Sequence, residues 1–263
     1  MNQELIKRLR EKESKMIEIR RYLHEHPELS FHETETPQYI ADFYKEKDCD
    51  VETNVGPNGV KVTIDSGKSG KTIAIRADFD ALPIEEQTGL SFASKNKGVM
   101  HACGHDAHTA YMLILGETLI EMKEQFKGKV VIIHQPAEEM PPGGAQGMIK
   151  DGVLDGVDHV LGAHVMSTME AGKVFYKEGY VQTGRAYFKL VVQGKGGHGS
   201  SPHMANDAIV AGSNFVTTAQ TVVSRRLNPF ETGVVTIGSF DGKGQFNVIK
   251  DQIEIRSEER RVG

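Results

Sequence analysis

The chain has 263 residues, enough for one large α/β domain or one and a half ordinary ones, and its 38% hydrophobic and 25% charged residues exclude disorder, collagen and coiled coil. The 31 Lys and Arg against 36 Asp and Glu leave a net charge of −5, so no global basic field draws nucleic acid or an anionic membrane. Two cysteines, Cys49 and Cys103, are too few for a disulfide framework, and the charged start MNQELIKRLREKESK is no signal segment, which points to a soluble protein of the reducing cytoplasm.

Leu5, Ile6, Leu9, Met16, Ile19 and Leu23 recur at near-helical spacing and predict an amphipathic helix over 3–26, stopped by His26-Pro27. A second helix is expected from Thr36-Pro37 through Tyr44. Residues 51–55 and 60–64 read as strands, and 72–76 is a short apolar run of the kind buried inside a sheet, ending in the polar Asp78 and Asp80. A helix over 107–122, a buried strand over 129–134 and the loop QPAEEMPPGG follow. The run VVII at 130–133, among the longest uncharged apolar stretches, is far below the ~20 residues of a membrane span. A helix at 145–151 and strands at 158–164 and 172–176 continue the alternation, predicting a mostly parallel sheet with helices on both faces. From about residue 182 the pattern changes to a strand at 185–193, the loop GKGGHGSSPH, a long helix over 206–227 and strands at 232–240 and 246–255. This β-α-β-β order resembles an incomplete ferredoxin-like unit.

The densest chemistry lies in Met100-His-Ala-Cys-Gly-His-Asp-Ala-His108, where three His, one Cys and one Asp are the ligand types of a divalent transition metal. A helix starting at Ala107 would favour the Cys103 thiolate through its N-terminal dipole; in the alternative reading the Cys and His merely flank a helix start that Asp106 caps. Glu138 and Glu139 follow a buried strand, at the carboxyl edge where open α/β sheets carry their sites. One of them can bind metal while its neighbour takes a proton from water; read alone, the pair is as readily a solvated loop. Asp78 and Asp80 reach the same edge, where Asp80 could hold a ligand histidine in the correct tautomer or either Asp could cap the next turn, and His164 closes another strand there as a further ligand.

Together, RRYLHEHPELSFHE at 20–33, RADFDALPIEE at 76–86, MHACGHDAHTA at 100–110, QPAEE, GAHV at 162–165 and GKGGHGSSPH at 194–203 resemble the aminoacylase/carboxypeptidase superfamily of dinuclear metallohydrolases. The likeness is narrowest to its amidohydrolase branch, with hippurate hydrolase, N-acyl-amino-acid amidohydrolases, auxin-conjugate hydrolases and N-acetyldiaminopimelate deacetylase. The resemblance implies that Cys103, His105, Glu139 and His164 bind two divalent ions (zinc, manganese, cobalt or nickel), that Glu138 is the general base and that Asp80 orients a ligand. Where related peptidases have a histidine ligand this chain has Asp78, which is therefore not counted among the ligands. The region from 183 is similar to a smaller lid, whose His198 stabilises the tetrahedral intermediate and whose Asn247 meets the substrate; His198 read alone is a polar loop tip.

The implied organisation is a metal-binding catalytic domain over 1–182, an incomplete lid or dimerisation domain over 183–256 and a non-native tail over 257–263. Members of the branch run on for roughly another hundred residues and supply one more histidine ligand. The expected protein is a metal-dependent amidohydrolase acting on N-acyl amino acids or small peptides, homodimeric through its lid when complete. The rival expectation is a truncated, non-catalytic relative that binds metal or ligand without turnover.

Overall fold

A computed structural model describes residues 2–261, and the chain divides into two compact units, Met1–Met169 and Glu170–Gly263. The expected boundary at 182/183 falls inside the second unit.

The first unit opens with two helices, α1 (Asn2–Glu11) and α2 (Glu13–Glu25), where one was expected. No apolar residue lies between Leu9 and Met16 to hold a continuous face, and Lys12 at the break turns to Glu121 and Glu117 at 2.5 and 3.2 Å. After α3 (Glu35–Tyr44), strands β1 (Asp50–Val55), β2 (Gly59–Asp65), β3 (Thr72–Asp78), β4 (Lys129–Gln135) and β5 (His159–Gly162) form one sheet in the order β1-β2-β4-β3-β5. The trio β4-β3-β5 is parallel, and β1 and β2 extend it as an antiparallel hairpin. This is the α/β class the sequence predicts.

Helices cover both faces because β4 alternates its apolar residues between them. Ile132 joins a core with Ile19, Leu23, Ile40, Tyr44 and Leu113 of the helices α2, α3 and α4 (His105–Glu121). Val131 and Ile133 face the other way, onto Met148 of α5 (Gly144–Lys150) and Val153. A strand buried on both sides reads as a continuous apolar run, as VVII does.

In the second unit, β6 (Gly184–Gln193), β8 (Gly233–Asp241) and β10 (Gln252–Arg261) form an antiparallel sheet ordered β6-β10-β8, with α6 (Ala208–Thr221) packed on it. Ala208 of α6 meets the buried Ile253 and Ile255 of β10. A separate two-stranded pair joins β7 (Gly197–His198) to β9 (Val248–Ile249). The strand expected at 246–255 is thus divided: β9 pairs with β7, whereas β10 pairs with β6 and β8.

The strand expected at 172–176 is absent. Val174 and Tyr176 are 92% and 95% exposed, and Gly172 and Gly179 take φ of 80° and 83° on either side. The apolar run has no partner strand among the described residues, and an unpaired strand leaves its backbone groups to solvent. The expectation of a tail from 257 stands beside a β10 that runs through Arg261, with Ser257 opposite Phe188 and Ile237; residues 262–263 lie outside the described residues. No described helix is long and apolar enough to cross a membrane.

His134, on β4, is fully buried beside the Tyr44 ring, and neither of its ring nitrogens has a partner. Burial pushes it down to about 3, so it stays neutral in the fold while an unfolded histidine takes a proton below about 6.5. Its contribution is therefore complete above about pH 6.5 and lost as pH falls toward 3. His134→Leu should make chemical unfolding less acid-sensitive, with the wild type losing about 2–3 kcal/mol relative to the variant between pH 7 and pH 4.5. Equal acid sensitivity would overturn this account.

Candidate metal centre

Three strand ends meet at one edge of the first unit. Asp78 ends β3 with Asp80 two residues on, β4 ends at Gln135 and leads to Glu138 and Glu139, and His164 follows β5. Since β4, β3 and β5 are parallel neighbours, their carboxyl ends converge, which is where open α/β sheets bind ligands. The helix α4 adds His105, its first residue, with Cys103 just before it. Gly104 between them takes φ of 88°, and a Cβ there would lie 2.4 Å from Val165 Cγ2, so the close turn requires glycine.

Three donor sets share His105. In one, ligand atoms of Cys103, His105 and His164 lie within 4.8 Å of one another; in a second, those of His105, Glu138 and Glu139 do. The hydrogen bonds fix how each ring faces. His105 Nδ1 lies 2.9 Å from the Asp80 carbonyl and 3.2 Å from Asp80 Oδ1, both acceptors, so Nδ1 donates and Nε2 is the ring nitrogen left to face a ligand. That Nε2 is buried with no hydrogen-bond partner, as is Glu139 Oε1 only 3.8 Å away. His164 Nδ1 donates to the Val165 carbonyl at 2.6 Å, leaving Nε2 directed at Cys103 Sγ, 3.4 Å off.

The charges agree with a cation site. Burial works against a charged His105, yet the Asp80 hydrogen bond, Cys103 and the charges of Asp78 and Asp80 prevail and push it up to about 11. Burial likewise works against a charged Asp80, but hydrogen bonds from His105, the Glu139 N–H and Ser30 hold its carboxyl below the usual range. Orphaned buried imidazole and carboxylate atoms, a thiol and a second imidazole are the donors a divalent transition metal takes, and the residues fit such an ion.

Asp78, His105 and His108 form a third acid-histidine group by distance. Here His108 Nδ1 donates to Asp78 Oδ1 at 2.5 Å while Nε2 accepts the Val165 N–H at 3.0 Å, so both nitrogens are engaged. Asp78 also pairs with Arg76 at 2.6 Å. Sequence reasoning assigned His108 no role; its place one helical turn after His105, in the same His-rich run, was the available signal. Ser30, whose hydroxyl donates to Asp80 Oδ2 at 2.7 Å, was also missed.

Asp106 does not cap α4. It accepts from His24 at 2.8 Å and Arg20 at 3.0 Å, tying α4 to α2, and no side chain caps the helix. In the second unit His198 and Asn247 are neighbours: β7 pairs His198 with Val248, and the Gly199 N–H donates to the Asn247 carbonyl at 2.8 Å. Both side chains are exposed. The Ser200 N–H donates to His198 Nδ1 at 3.2 Å, and this places the ring proton on Nε2.

An α/β chain with this donor set at the carboxyl edge of its sheet has the residues of a metal site. Residues 74–241 match peptidase family M20/M25/M40, and the chain belongs to that family. It is 80% identical to a candidate aminohydrolase from methicillin-resistant Staphylococcus aureus, whose crystal structure superposes with a TM-score of 0.81 over 99% of this chain and 67% of that one. A dinuclear metal-binding M20 peptidase of Bacillus subtilis is 37% identical, with a TM-score of 0.70 over 94% of this chain and 64% of its own. An N-acetyl-L-cysteine deacetylase of Bacillus subtilis is 43% identical over 243 residues, 92% of this chain and 58% of the relative. The chain spans about 60% of the length of curated relatives that it matches.

His105→Ala should abolish tight binding of a divalent ion, whereas His108→Ala should destabilise the fold yet leave the bound-metal stoichiometry unchanged. Elemental analysis after dialysis tests both; metal loss in a folded His108→Ala variant would show that the third group ligates.

Proposed function

We propose that this chain carries the metal centre of an amidohydrolase that cleaves N-acyl amino acids or small peptides, using two divalent ions. The observation that carries the reading is the buried, unpartnered facing pair of His105 Nε2 and Glu139 Oε1, with Glu138 beside it. The names of the similar proteins, a deacetylase of N-acetyl-L-cysteine and a dinuclear M20 peptidase, support the same class of reaction.

In this reading Cys103, His105, Glu139 and His164 would hold the ions. When bound, the ions lower the pKa of water toward neutrality and polarise the acyl carbonyl. Glu138 takes the proton of the attacking water and delivers it to the leaving amine as the C–N bond breaks, so one carboxylate serves as base and then as acid. Asp80 keeps His105 in the tautomer that offers Nε2. His198 donates from Nε2 to the oxyanion, and Asn247 meets the substrate. Residues 1–182 act as the catalytic part and 183–256 as part of a lid, through which the complete protein forms a homodimer. We place the protein in the cytoplasm, in keeping with its two free cysteines.

Glu138→Ala should leave metal content intact and lower hydrolysis of N-acetyl and N-benzoyl amino acids by a factor of about 10²–10⁴. Undiminished turnover in the variant would remove Glu138 from the mechanism. A metal-loaded wild type that binds these compounds without cleaving them would return the chain to the non-catalytic binding reading.

A further inference from the structure

The loop carrying Glu138 and Glu139 leaves β4 through Pro136 and Ala137. Ala137 is fully buried with φ of 49°, in the left-handed region that disfavours a residue with a Cβ. Its peptide groups are held on both sides. The Ala137 N–H donates to Glu33 Oε1 at 2.8 Å, and its carbonyl accepts the Gly144 N–H at 2.9 Å. A Cβ at Gly144 would lie 2.1 Å from the Pro136 carbonyl oxygen, so that approach requires glycine.

Glu33 is itself rigidly seated. It is 2% exposed, its carbonyl accepts the Asn58 side-chain amide, and Thr34 and Glu35 just after it donate their N–H groups to the Glu28 carboxylate at 2.9 and 3.0 Å. Its Oε2 is buried without a hydrogen-bond partner, and burial pushes the carboxyl up to about 7. A carboxyl so placed is a poor choice for stability alone, because a buried acid with an unpaired oxygen is costly. Two residues on, the Glu139 N–H donates to Asp80 Oδ2 at 2.9 Å. The amides of 137 and 139 are therefore each held by a carboxylate, and Glu138 lies between them.

We infer that Glu33 is a positioning residue: its buried carboxyl clamps the Ala137 peptide from behind and so aims Glu138 and Glu139 at the metal centre. The inference rests on the proposed reading of that centre. A group acting through the backbone of a ligand loop should govern metal affinity, as partners of metal ligands do elsewhere.

The test titrates Zn²⁺ alone into the full 263-residue chain, stripped of metal, against a competing chromophoric chelator, with the melting temperature of each metal-free protein recorded in parallel. Glu33→Ala loses the acceptor, Glu33→Asp withdraws it by one methylene, and Glu33→Gln keeps it at the same reach. The first two should weaken Zn²⁺ binding by about 10–100-fold, and Glu33→Gln should stay within about threefold of wild type. A purely structural role would lower the melting temperature and leave the affinity of the folded protein alone. Should Glu33→Ala not fold, the comparison of Glu33→Asp with Glu33→Gln decides. Wild-type affinity in a folded Glu33→Ala or Glu33→Asp, or a Glu33→Gln as weak as either, overturns the clamp alone. A wild type that takes up no Zn²⁺ overturns the reading of the centre, and the clamp with it.

Discussion

The Asp80 carboxylate joins three segments that are far apart in the chain. Its Oδ2 accepts from Ser30 and from the Glu139 N–H, and its Oδ1 lies beside His105 Nδ1. The loop before α3, the loop after β4 and the first residue of α4 therefore share one anion. Burial would make such a charge expensive, and these donors are what offset it. Orientation follows from the same bonds. With Nδ1 of His105 occupied, only Nε2 remains for a ligand, and with the Glu139 amide fixed, the adjacent carboxylates cannot swing away as a pair.

The surroundings of His105 are then rich in carboxylates. Asp78 Oδ2 and Glu139 Oε1 lie 3.6 and 3.8 Å from its Nε2 and Asp80 Oδ1 lies 3.2 Å from its Nδ1, while Arg76 is bound to Asp78. His108 does not offset these charges, since it accepts from Val165 on one nitrogen and donates from the other, as a neutral ring does. The strong upward push on His105 expresses the same imbalance, a demand for positive charge at Nε2. A divalent cation held by the orphaned imidazole and carboxylate atoms would meet that demand.

Much of this was legible in the sequence, and the reason is local. Ligand types crowd into nine residues at 100–108, and the apolar runs of β3 and β4 end where the acids begin, so motif and edge could be read together. What escaped depends on contacts that sequence spacing does not encode. Glu33 meets Ala137 across 104 positions, and Ser30 meets Asp80 across 50. Both lie in the stretch RRYLHEHPELSFHE, which supported the family resemblance without suggesting a task for either residue. The fold misreadings have a similar cause. Val174, Phe175 and Tyr176 have strand propensity, but propensity does not supply a neighbouring strand. The break between α1 and α2 reflects Lys12 turning to α4, a long-range pull that helical periodicity cannot report.

The two units hold their polar groups in contrasting ways. In the second, His198 and Asn247 are exposed: Ser200, two residues on, sets the His198 tautomer, and a short strand pair with Gly197–His198 sets the Asn247 backbone. In the first, the acids and His105 are fixed by buried partners from distant segments, and Ala137 is kept in an unfavourable backbone region by bonds on both sides. Strain of that kind persists only where the surroundings over-determine it. A metal centre needs its donors fixed before the ion arrives, because ordering them afterwards would subtract from affinity. A group that must meet a substrate gains from remaining accessible. In the proposed reading, rigidity is therefore concentrated where the protein's own donor atoms must converge, and exposure where an outside molecule must be reached.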